Sequence, residues 1–81
     1  MQLQEMYDQL SDEELAQRIK TLERQALVAE QDFYEKRNAY KKRPNDTNMA
    51  FFITTAETAI DRFTKLQGAY KEQIARLSKS K

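Results

Sequence analysis

Two heptad ladders on either side of a single proline leave this chain few ways to fold. The first ladder runs Leu15, Ile19, Leu22, Ala26, Ala29 and Phe33, and continues through Lys36 and Tyr40. The second runs Met49, Ile53, Ala56, Ile60, Phe63, Gln67, Tyr70, Ile74 and Leu77. Both step by alternating fours and threes, the spacing that keeps one stripe of a helix against a neighbour. Pro44 lies between them, and Arg43 before it is pushed out of helical geometry. A connection this short makes its two helices antiparallel neighbours. The fold class expected is therefore all-α: an antiparallel, coiled-coil-like two-helix hairpin.

Local signals set the boundaries. Ser11-Asp12-Glu13-Glu14 reads as a capping box, with Leu10 and Leu15 at the spacing of a hydrophobic staple. The three acidic residues also suit the positive end of a helix dipole. The first helix is expected over 12–42, a turn over 43–46 with Asp46 or Thr47 as cap, and the second helix over 47–77. Residues 1–10 form a short amphipathic arm carrying Leu3, Met6, Tyr7 and Leu10; a segment this short is ordered only if it docks. Residues 79–81 read as a frayed tail. Gly68 costs roughly 1 kcal/mol relative to Ala inside a helix, and the ladder places it on the outer face, tolerated rather than structural.

Folding at Pro44 sets the rungs against each other. Ala26 faces Phe63, Ala29 faces Ile60, and Phe33 faces Ala56, so small residues meet large ones. At the open end, Asp12, Glu13 and Glu14 approach Arg76 and Lys79. Gln67 is expected to reach solvent, and Lys36 to lay its stem over Phe33.

A lone hairpin of this length buries one stripe per helix, which rarely offsets the entropy of ordering the chain. Apolar residues remain over for association. Phe52, Ala59 and Leu66 form a second stripe beside the second ladder, with Phe51 near it, and Leu27, Val28 and Tyr34 form a patch on the first helix. These predict a homodimer closed into a four-helix bundle. Leu27, Tyr34, Phe51, Phe52, Ala59 and Leu66 are the expected contacts with a second copy or another protein.

Composition narrows the chemistry. The 81 residues contain no Cys, His or Trp, which removes thiolate chemistry, the commonest general base and the commonest zinc ligand. Carboxylate pairs such as Glu57 and Asp61 sit at the spacing of a solvated helix face. No cofactor, metal or enzymatic role is expected. The net charge of +1 gives no bulk pull toward nucleic acid. The alternative site is the basic cluster Lys36, Arg37, Lys41, Lys42 and Arg43 near the turn, interleaved with Tyr34, Tyr40 and Phe51 as in nucleic-acid surfaces. Against it, cations gather at helix C-termini because the dipole favours them there. No apolar run is long enough to span a bilayer, and the first residues lack a signal-peptide pattern, so a cytoplasmic address is expected. The functional expectation is a small non-enzymatic protein-interaction module: an adaptor, assembly factor or regulator.

Overall fold

The computed structural model describes residues 6–79; Leu3 of the arm and the last two residues of the tail lie outside that range. A 3-10 turn, Tyr7–Gln9, precedes two long helices, α1 (Asp12–Lys42) and α2 (Asp46–Lys79). They pack as a hairpin in a flat slab measuring 53 × 27 × 17 Å.

The start of α1 follows its sequence signal. The Ser11 amide donates to Glu14 Oε1 at 2.9 Å, and the Glu14 amide donates to Ser11 Oγ at 3.1 Å. The Ser11 amide, and after it the Ser11 hydroxyl, favour the ionised Glu14 carboxylate and hold that carboxyl below its ordinary range. The turn differs in one detail. Asn45, not Asp46 or Thr47, caps α2: its Oδ1 accepts from the Asn48 amide at 2.8 Å. Asn48 in turn donates through Nδ2 to the Arg43 carbonyl at 2.8 Å and the Ala39 carbonyl at 3.4 Å, covering the exposed end of α1.

The first ladder is the inner stripe of α1, as expected: Leu15, Ile19, Leu22, Ala26 and Ala29 are buried. The second ladder is not the inner stripe of α2. The buried residues there are Thr55, Ala59, Leu66 and Ala69, one position back, a rotation of about 100°. Ala59 and Leu66, read from the sequence as an outer stripe, close the hairpin instead. Phe52 goes with them, half-buried and stacked at 5.4 Å on Phe33 and 5.7 Å on Tyr40. Phe63 and Ile60, expected opposite Ala26 and Ala29, are exposed instead. Small residues favour the choice: Ala69 and Leu66 pack with Leu15, Ile19, Leu22 and Ala26 in one buried cluster, and Thr55 and Ala59 on the same face are buried too, a face on which helices can pack closely. The Thr55 hydroxyl, buried with them, donates to the carbonyls of Phe51 and Phe52 and so enters the seam without an unmade bond.

The arm supplies a second reason. Tyr7 and Leu10 pack against the core cluster, and the Tyr7 hydroxyl donates to the Lys65 carbonyl at 3.1 Å. Burial pushes the Tyr7 phenol pKa up. Gly68 is not on an open outer face: a Cβ at this position would lie 3.1 Å from Tyr7 Cε2, close enough that the ring would have to shift by a few tenths of an ångström. Arg76 fastens the arm. Its Nη2 donates to the Tyr7 carbonyl at 3.1 Å and to the Leu10 carbonyl, its Nη1 reaches Asp12 at 2.9 Å, and its Nε reaches Glu72 at 3.1 Å. The expected meeting of Asp12 with Arg76 is thus realised. On the helical wheel, Gly68 and Lys65 lie on the flank of α2 away from the second ladder, so the arm and α1 take two sides of α2 and leave a third.

Candidate functional site

The third side of α2 is the second ladder itself. Met49, Ile53, Ile60, Phe63, Ile74 and Leu77 line up along it, each between 40% and 66% exposed. Isolated exposed apolar side chains are ordinary, but a continuous stripe along a helix is not. Gln67 lies in the same row and is exposed, in keeping with its expected reach to solvent.

Between this row and α1 runs a groove of about 670 Å³. Ala59 and Leu66 form part of its lining, Ile60 and Phe63 one wall, and Phe33 and Tyr34 the other. Towards the open end Tyr70 crosses it, its hydroxyl donating to Glu23 Oε2. That bond, and secondarily burial, holds the Tyr70 phenol above its ordinary 10.0. Towards the turn, Tyr34 and Phe33 stack at 5.4 Å, and the Arg37 guanidinium lies 4.8 Å over the Tyr34 ring. Glu30 also lines the groove. An open trough of this kind, apolar and straight, suits an apolar helix face better than a small polar molecule.

The sequence-derived contact residues divide between two places. Leu27, Tyr34 and Phe51 are exposed, Leu27 and Tyr34 on the groove side of α1 and Phe51 near the turn. Phe52, Ala59 and Leu66 take part in the hairpin's own packing, Phe52 half-buried and Ala59 and Leu66 buried, with Ala59 and Leu66 also in the groove lining. The exposed residues on α2 are those of the second ladder, which periodicity alone places in the intrachain seam because it ranks the greasier of two adjacent stripes as the inner one.

The basic cluster is also divided. Lys36 pairs with Asp32 at 3.7 Å and Glu35 at 3.8 Å, Arg37 is engaged with Tyr34, and Lys41, Lys42 and Arg43 are exposed at the turn. Among the described residues there is no group of three or more Asp and Glu placed to hold a metal ion, and no helix is long and apolar enough to cross a membrane. Scans against protein-family models, curated proteins and solved structures each find no match to this chain.

Proposed function

We propose that this protein is a small non-enzymatic helical interaction module, cytoplasmic, that works by docking helices on the open ladder of α2. Self-association into a four-helix bundle is part of that reading, and the role it serves is that of an adaptor, assembly factor or regulator. The observation that carries it is the heptad row from Met49 to Leu77, in which Met49, Ile53, Ile60, Phe63, Ile74 and Leu77 stay exposed beside α1 and the arm, while Tyr70 in the same row is tied to Glu23 of α1. A seam with coiled-coil spacing is complementary to another helix and to little else.

The test is a paired substitution, Ile60→Asp with Phe63→Asp, at positions that contribute little to the hairpin core. Helicity should persist, while both solution mass and the set of recovered protein partners should change. If mass and partners both match the parent chain, the surface has been misassigned. A second reading, nucleic-acid binding at the turn, draws support from the exposed Lys41, Lys42 and Arg43. It requires binding to RNA or DNA that falls steeply as salt rises; no binding at low salt removes it.

A further inference from the structure

We infer that the open ladder of α2 is covered by the same ladder of a second copy, running antiparallel, with the two-fold axis passing close to Thr64. This rests on the interaction reading above and names its occupant. Two apolar rows run along α2. They are one residue apart, so their centres lie about 100° apart around the helix. That is the relation needed by a helix at the corner of a bundle, with one neighbour on each of two adjoining faces.

Polarity follows from the flanks. On one side the ladder is bordered by Ala59 and Leu66, which turn toward α1; on the other it is bordered by Ala50, Glu57, Thr64 and Lys71, all exposed. In an antiparallel pair each flank meets the same flank of the other helix, whereas in a parallel pair unlike flanks meet. Antiparallel docking therefore puts both α1 helices on one side and turns the two grooves toward each other. Leu27 and Tyr34 then come to the inside of a closed four-helix bundle. Parallel docking would put the α1 helices on opposite sides and leave both grooves open to water.

Charge selects the register. Glu57 and Lys71 stand symmetrically about Thr64. With the axis near Thr64, each Glu57 meets Lys71 of the other copy, and the pair occurs twice. A centre one residue on, at Lys65, sets Ile53 against Leu77, Ala56 against Ile74 and Ile60 against Tyr70, again opposing small to large at Ala56; Glu57 and Lys71 are then about 3 Å off level, within side-chain reach. The area is sufficient. The six ladder residues with Leu27 and Tyr34 are 40–66% exposed, on the order of 100 Å² each, so docking can cover at most roughly 800 Å² per copy, which reaches the size of a standard stable interface.

Because the chain has no native cysteine, cross-linking reads the arrangement directly. Ile53→Cys and Leu77→Cys are prepared separately, then oxidised alone and as a mixture. The covalent dimer should form at least about tenfold faster in the mixture than in either variant alone. Charge exchange gives an independent reading: Glu57→Lys should weaken the dimer about three- to tenfold, and adding Lys71→Glu should restore it. A dimer by mass in which Ile53→Cys links to itself as readily as to Leu77→Cys overturns the antiparallel arrangement and leaves the interaction reading standing. A chain monomeric at every concentration rules out a second copy as the occupant. The wider reading is then judged by partner recovery from the Ile60→Asp/Phe63→Asp chain.

Discussion

The two apolar faces of α2 differ in the size of their side chains more than in their spacing. The inner face offers Thr55, Ala59 and Ala69 around a single Leu66. The outer face offers Ile53, Ile60, Phe63 and Ile74. Both carry helical periodicity, yet the face with less apolar surface closes the hairpin. Area removed from water is only one term: a close-packed seam also gains dispersion contacts, and small residues on both helices allow the backbones to approach. The larger side chains are then available to something outside the hairpin. One helix thus serves two interfaces, one fixed within the chain and one open to a partner.

The sharpest way to break this contrast is to delete bulk from each face in turn. Leu22, at 1% exposed, packs in the cluster that contains Leu66 and Ala69. Leu22→Ala should cost about 2–5 kcal/mol in chemical denaturation, through lost transfer free energy and the cavity left behind. Ile60→Ala on the outer face, measured in dilute solution, should change stability by less than about 0.5 kcal/mol. Equal losses at the two positions would erase the distinction between the faces.

Adding bulk should be the next largest effect. Ala69, fully buried, has no room for a longer side chain, and Ala69→Leu should cost about 1–3 kcal/mol by overpacking the seam. The same change at Ala75, exposed on α2, should be nearly silent.

The third contrast concerns the arm. Arg76 holds two arm carbonyls and Asp12, so Arg76→Gln should release residues 6–10. Amide exchange at Leu10, which donates to the Tyr7 carbonyl, should rise roughly tenfold while α1 and α2 keep their protection. Unchanged exchange would show that Tyr7 alone holds the arm.

Smaller effects appear on titration. The Tyr70 phenol, raised by its bond to Glu23, stays protonated more readily in the folded chain than in the unfolded one. Its contribution is therefore complete below the ordinary phenol range and disappears as pH rises through the raised folded value. Glu14 behaves in the opposite sense. Its lowered carboxyl contributes above the ordinary carboxyl range and loses that contribution as pH falls through the lowered value. Site-resolved NMR titration should show Tyr70 returning toward its ordinary value in Glu23→Gln, with Glu14 unaffected. Smallest of all should be Gly68→Ala. The helix gains roughly 1 kcal/mol of propensity, while the new methyl crowds the Tyr7 ring, so the net change should be small and should reverse toward stabilisation once Tyr7→Ala removes the ring.

Much of this molecule was legible in the sequence. The capping box, the inner face of α1 and the turn at Pro44 each rest on short-range rules, and each is realised. The Asp12–Arg76 contact followed from the antiparallel register. What periodicity could not decide was which of two stripes on α2, a single residue apart, turns inward, because that depends on backbone approach rather than hydropathy. Periodicity puts Ala59 and Leu66 outside and Ile60 and Phe63 inside, and the fold reverses the two. The role of Gly68 was hidden for a related reason. It follows from where the arm docks, and the arm's position depends on which side of α2 is already taken. The Ala-rich composition of the true seam, with Ala26, Ala29, Ala59 and Ala69, was the signal available to correct the choice.

The central claim, that the hairpin closes on the small-residue face of α2, is tested most directly by intramolecular methyl and aromatic NOEs, with isotope filtering to exclude contacts between copies. NOEs should link Leu22 to Leu66 and Ala26 to the same face of α2, with none from Ile60 or Phe63 to Ala26 or Ala29. Strong intramolecular NOEs from Phe63 to Ala26 and from Ile60 to Ala29 would contradict it and return the large ladder to the inside.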